Sequence, residues 1–168
     1  YKSNRKGLTD PLDHNTTLEL TWTIIPLILT MIVFFWGART YIKMNIVPYD
    51  AMEINVTAQK WFWAFTYKEG FTNTNELVIP VNKPVKLIMQ SQDVIHCLYV
   101  PDFRVKMDVI PNRYMMLWFE PTKIGEYDIL CAEYCGKSHS EMLGKVEVVS
   151  NDDYVKWLKE VNIVDESI

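Results

Sequence analysis

The densest chemistry in the sequence lies in Cys131-Ala-Glu133-Tyr-Cys135-Gly-Lys-Ser-His139-Ser-Glu-Met142. Two thiols, an imidazole and a thioether fall within twelve residues there, and a second imidazole, His96, stands upstream. Thiolate and thioether are soft ligands, and together with imidazole they select copper or zinc over calcium or magnesium. Three residues separate Cys131 from Cys135, so this is neither a C-x-x-C redox pair nor a C-x-x-C-H haem attachment. Three arrangements compete. A Cys131–Cys135 disulfide leaves the placement of His139 and Met142 unexplained. A tetrahedral zinc site would take His96, Cys131, Cys135 and His139 and would not need Met142. Copper is the third. A mononuclear site wants one Cys, two His and a weak axial Met, which leaves one thiol over. Two copper ions bridged by both thiolates would use every donor, each taking one His and one weak ligand: Met142 for one, a backbone carbonyl of the 131–135 loop for the other. The copper pair fits best.

These donors need a scaffold that holds them together. After Pro48 the sequence breaks into short β-type runs at Met52–Gln59, Trp61–Tyr67, Val85–Ser91, Val94–Val100, Tyr114–Phe119, Glu126–Leu130 and Lys145–Val149. Turn signals such as Asn82-Lys83-Pro84, Val100-Pro101-Asp102 and Ile110-Pro111-Asn112 separate them, which is the pattern of an all-β sandwich or barrel. Asp152–Val161, opened by aspartates, reads as a short surface helix. Upstream, Leu20–Ala38 carries no charge and is bracketed by Glu19 and Arg39. Its nineteen residues span roughly 28 Å as a helix, close to the ~30 Å hydrocarbon core of a bilayer. Thr16-Thr17-Leu18-Glu19 has the form of a capping box, and Trp22 and Trp36 sit where interfacial anchors belong. Pro26 is tolerated in such a span. This is a transmembrane helix. Its flanking cations, Lys2, Arg5 and Lys6 before and Arg39 and Lys43 after, leave its orientation almost undecided. Seventeen Lys+Arg against 21 Asp+Glu give a net charge of −4, which excludes a dedicated nucleic-acid binder. An aromatic content of 13% excludes disorder, and three cysteines exclude a disulfide-dense scaffold.

Asp93-Val-Ile-His96, thirty-four further residues, and then Cys-x-Glu-x-Cys-x-x-x-His-x-x-Met resembles the binuclear CuA signature of cytochrome c oxidase subunit II. Gln59-Lys60-Trp61-Phe62-Trp63 resembles that family's aromatic run. Glu19-Leu-Thr-Trp22-Thr-Ile-Ile-Pro26 resembles the opening of its second membrane helix. The resemblance implies a cupredoxin-like β barrel anchored by a membrane helix, in four parts: a pre-helix loop (1–16), the helix (17–44), the CuA domain (48–150) and a C-terminal helix and tail (151–168). It implies that His96, Cys131, Cys135, His139 and Met142 hold two copper ions through their side chains, and Glu133 through its carbonyl oxygen. The Glu133 carboxylate would also bind Mg²⁺ or Mn²⁺ shared with the large subunit. Trp61 would be the electron entry point and Glu19 the mouth of a proton path. The implied function is the electron-entry subunit of a proton-pumping haem–copper oxidase in a bacterial cytoplasmic or mitochondrial inner membrane, its β domain on the periplasmic or intermembrane side. Its partners would be cytochrome c, the large haem-bearing subunit I and other oxidase subunits. The family has two membrane helices. Tyr1–Leu12 would be the loop between them, with the first span removed by processing or lying outside this sequence.

Cys97 neighbours a ligand on a strand, so its side chain points to the opposite face and reads as a small apolar filler. Trp63 and Phe65 read as core or interface, His14 as solvated, and Met89, Met107, Met115 and Met116 as packing. Asp93, Asp108, Glu126 and Asp128 could together form an acidic docking face for a basic cytochrome. A nitrous-oxide reductase carries the same copper centre but needs a large further domain. A quinol-oxidase subunit keeps the fold without the ligands. A copper-delivery protein would hold one labile ion.

Overall fold

The computed structural model describes residues 14–165. The loop expected over Tyr1–Leu12 and the last three residues of the expected tail lie outside them. The described chain forms two separate units, one on each side of the Ile46–Val47 junction.

The first unit contains one helix, α1 (Thr16–Asn45). Asn15 is its N-cap, accepting the Leu18 N–H at 3.1 Å, while the Glu19 carboxylate reaches back to the Asn15 N–H at 3.2 Å. The cap therefore sits one residue before the Thr16 that the capping-box pattern favours, because Asn15 Oδ1 is already placed to take the orphan donor. Thr21, Thr30 and Thr40 each return their hydroxyl to the carbonyl four residues back, at 2.7, 2.8 and 3.1 Å. These bonds satisfy the polar atoms within the helix itself, as an apolar surrounding demands. None of its residues is buried, and it is apolar on every side. By length and composition α1 can cross a membrane.

The second unit is a two-sheet β structure. Its strands are β1 (Met52–Gln59), β2 (Phe62–Thr66), β3 (Thr72–Thr74), β4 (Glu76–Pro80), β5 (Val85–Ser91), β6 (His96–Val100), β7 (Val105–Val109), β8 (Met115–Phe119), β9 (Gly125–Cys131) and β10 (Leu143–Val149). One sheet runs β3-β2-β1-β5-β8 and the other β4-β10-β9-β6-β7. The pairs β1/β5 and β4/β10 are parallel and the remaining pairs antiparallel. Alternation decides which side chains meet between the sheets. Ile54, Val56 and Ala58 of β1, Trp63 and Phe65 of β2, and Leu87 and Met89 of β5 face Leu98, Ile129, Val146 and Val148 of the second sheet in one buried cluster. β3, β4 and β7 are strands beyond the seven runs read from sequence, and β6 opens at His96 rather than Val94.

Helix α2 (Asn151–Asp165) closes the unit. Its cap is Ser150, which accepts the Asp153 N–H at 3.1 Å and donates to the Asp153 carboxylate at 2.7 Å. Trp157 packs edge-on against Tyr67 and Phe71 at 5.2 and 5.3 Å. The buried Tyr67 hydroxyl donates to Val78 O at 3.0 Å and accepts Val78 N–H at 2.8 Å, on the strand that ends the second sheet. Tyr67→Phe leaves both backbone groups unpaired and is expected to cost about 1–3 kcal/mol in chemical unfolding. Burial pushes the Tyr67 phenol well above its ordinary range. Its folded pKa is thus the higher one, so stability holds below about pH 10 and is lost as pH rises beyond it.

Candidate metal centre

The centre lies where β6 begins and β9 ends. Pairing of Leu98 with Cys131 brings His96 beside the first thiol, across thirty-five positions of sequence. The other donors follow on the loop from Cys131 to Met142, whose 3₁₀ turn at His139–Glu141 folds it back toward β10. Cys131 Sγ and Cys135 Sγ stand 3.7 Å apart, far beyond the ~2.05 Å of a disulfide, and both are free thiols. His96 Nδ1 is 3.9 Å from Cys131 Sγ, and the Glu133 carbonyl oxygen is 3.3 Å from the same sulfur. His139 Nδ1 is 3.5 Å and Met142 Sδ 3.8 Å from Cys135 Sγ. All six expected donors therefore converge on one pair of sulfurs.

The donor side chains run from fully buried to half-buried, His139 being the most open of them. His96 and Met142 are 0% exposed and Cys135 only 3%. Trp63 stands edge-on to the His96 ring at 6.1 Å. Burial disfavours both thiolates, but at Cys131 hydrogen bonds with His96, the Cys97 and Glu133 backbone and His139 overcome it and bring that thiol below its ordinary range. At Cys135 burial and the neighbouring Cys131 sulfur act together and push it up. Asp93 Oδ1 lies 2.8 Å from His96 Nε2, leaving Nδ1 turned toward the thiols. Burial opposes the charged form of Asp93, yet the bonds from His96 and from the Lys60 and Val94 N–H groups win and hold it at about 2.

Trp61 occupies the tight turn between β1 and β2 and is 36% exposed. Its indole lies on Gly136, the residue after Cys135: a Cβ there would stand 3.4 Å from Trp61 Cζ2 and Nε1. With φ at +122°, Gly136 is a glycine for conformation as well as for close approach. That contact joins residues far apart in sequence, and its sequence signal is a glycine directly following a candidate donor cysteine. The Glu133 side chain is exposed while its carbonyl faces the centre. Glu19 belongs to the other unit, in the first turn of α1, where its carboxylate lies 2.8 Å from His14 Nδ1.

The family model for the periplasmic domain of cytochrome c oxidase subunit II matches residues 69–149. The alternative cytochrome c oxidase subunit 2 of Bradyrhizobium diazoefficiens is 34% identical over 155 residues, covering 74% of this chain and 56% of that protein. The probable cytochrome c oxidase subunit 2 of Rickettsia bellii is 30% identical over 186 residues, covering 98% of this chain and 69% of the relative. The chain belongs to the cytochrome c oxidase subunit II family. Its fold is that of the periplasmic domain of subunit II of cytochrome oxidase from Bradyrhizobium japonicum, matched at a TM-score of 0.66 and 31% identity over 68% of this chain and 96% of that one. The chain spans roughly half to two thirds of the length of several subunit II relatives.

Within this subunit II chain Cys97 pairs across the sheet with Asp108, while its carbonyl accepts the Ala132 N–H at 2.9 Å at the start of the donor loop. Burial and the Asp108 carboxylate push its thiol up to about 12, so it is inert as a thiolate. Cys97→Ser is expected to leave metal uptake and the absorption spectrum of the loaded chain unchanged. Loss of either would make Cys97 a ligand. Of the four acidic residues, Asp108, Glu126 and Asp128 are exposed on the outer face of the second sheet. The Glu126 carboxylate there takes an ion pair from Lys145 at 2.9 Å, whereas Asp93 turns inward to the Lys60 N–H and His96.

Proposed function

We propose that this chain is the electron-entry subunit of a haem–copper oxidase, taking electrons from cytochrome c and passing them to haem in the large subunit, where oxygen is reduced and protons are pumped. The observation that carries the reading is the convergence of two thiols, two imidazole Nδ1 atoms, a thioether and a carbonyl on two sulfurs 3.7 Å apart. That donor set is soft and exceeds what one ion needs, and it fits a copper pair better than zinc, which has no use for Met142. Bound there, the two ions would supply a one-electron relay.

The protein's own contribution is rigidity and access. Strands β6 and β9 fix His96 and Cys131 before any metal arrives, and His96 is fully buried beside the Trp63 ring. Trp61, exposed on one side and seated on the ligand loop on the other, is the contact offered to the donor. The Glu133 carboxylate reaches solvent on the same loop and would hold Mg²⁺ or Mn²⁺ with oxygen ligands from the large subunit. Glu19, paired with His14 at the start of α1, would open the proton path. The β domain would face the periplasm or intermembrane space. Metal analysis with electron paramagnetic resonance tests the reading: two copper ions per chain sharing one unpaired electron are expected. One copper, or tightly held zinc, would refute it.

A further inference from the structure

Asp93 lies in the loop between β5 and β6, and its side chain is 23% exposed. Both carboxylate oxygens are engaged. Oδ2 accepts the Lys60 N–H at 2.8 Å. Oδ1 accepts the Val94 N–H at 2.6 Å and lies 2.8 Å from His96 Nε2. Ser91 braces the loop, accepting the Asp93 N–H at 3.2 Å and donating to Val94 O. Lys60 is the residue before Trp61, in the turn closed by the Gln59–Phe62 pair. The same loop is tied to the end of β1 by the Gln92 N–H on Ala58 O at 3.0 Å.

One carboxylate thus touches the turn that presents Trp61 and the ring of His96. We propose that Asp93 is a positioning residue that orients His96 with Nδ1 toward the two thiols and at the same time holds the Trp61 turn, so that the donor contact and the ligand set are fixed together. This rests on the copper-pair reading above. A metal-bound imidazole needs its remote N–H held, and a carboxylate both fixes the ring and raises the basicity of the ligating nitrogen. Asparagine cannot replace it. Asn has one acceptor oxygen and one NH₂ group, so in either orientation the Lys60 N–H or the His96 Nε2–H faces a donor.

The test uses the full chain in detergent, loaded with copper ions against a competing chelator. Asp93→Asn is expected to weaken copper retention by about 10–100-fold, the usual cost of losing such a partner. Coupling between sites is reciprocal, so copper loading of the wild-type chain is expected to slow hydrogen exchange of the Lys60 amide by about tenfold or more. That second measurement needs no variant and decides the matter alone if Asp93→Asn folds poorly. Retention within about twofold of wild type in a folded Asp93→Asn chain, or a Lys60 amide indifferent to copper, overturns the proposal. A wild-type chain that takes up no copper overturns instead the reading on which it rests.

Discussion

Trp61→Ala is expected to leave the copper content and spectrum of the subunit intact while slowing its reduction by cytochrome c by about thirtyfold or more, the equivalent of a ~2 kcal/mol recognition anchor. The argument is the two-sided setting of the indole. Its outer edge is open, at 36% exposure, where a large apolar ring gains little from burial. Its inner face lies on the Gly136 backbone, one residue from Cys135. Removing it takes away the contact for a protein donor and the indole that lies against the Cys131–Met142 loop. A small inorganic reductant, which needs no recognition surface, is expected to work at the wild-type rate. A Trp that served only as core would behave otherwise, costing about 3–5 kcal/mol of stability and dragging copper content and both reductions down together. Stopped-flow reduction with the two donors, beside a thermal melt, separates the outcomes.

Cys135→Ser is expected to have the larger thermodynamic effect. Cys135 Sγ is the hub of the centre, within 3.8 Å of Cys131, His139 and Met142 donor atoms. A hydroxyl does not bridge two soft ions, so the pair is lost rather than weakened. A ligand that binds only the folded state stabilises it by about 4 kcal/mol at a thousandfold excess over Kd. The wild-type chain is expected to gain stability of that order on copper loading, and Cys135→Ser, left with one thiol, two imidazoles and Met142, to hold at most one ion and gain clearly less, while the two metal-free proteins unfold at similar denaturant concentrations. Equal copper-dependent stabilisation in both would remove Cys135 from the ligand set.

The ligand loop was legible because four of its donors fall within twelve residues and their element types admit few metals. Strands β1 and β5 were legible to the residue: turn signals bound both, β1 alternates throughout, and β5 is apolar enough to stand out although Leu87-Ile88-Met89 interrupts its alternation. β3 escaped because Thr72–Thr74 has no apolar residue to alternate. β4 escaped because Leu77-Val78-Ile79 is a continuous apolar run ended by Pro80, buried on both faces and lacking a period. β7 alternates plainly, but it follows a 3₁₀ turn and Arg104 at φ +56°, which hide its start. The roles of Asp93 and Gly136 were not legible at all. Each depends on a turn brought from elsewhere by the pairing of β1 with β2 and β5, and residue type alone made Asp93 look like surface charge. His96 and Asp93 stand three apart in sequence, yet only the folded loop shows the carboxylate turned in to the ring.

The seat of Trp61 on Gly136 also makes the subunit its own optical gauge. Indole emission is extinguished by an open-shell ion close by, and Trp61 and Trp63 both border the donors. Fluorescence from the unlabelled chain is therefore expected to fall as copper enters and to return when a chelator withdraws it. That gives a continuous trace of loading in which the Trp61→Ala chain, keeping only the Trp63 share, reports a smaller change at the same rate.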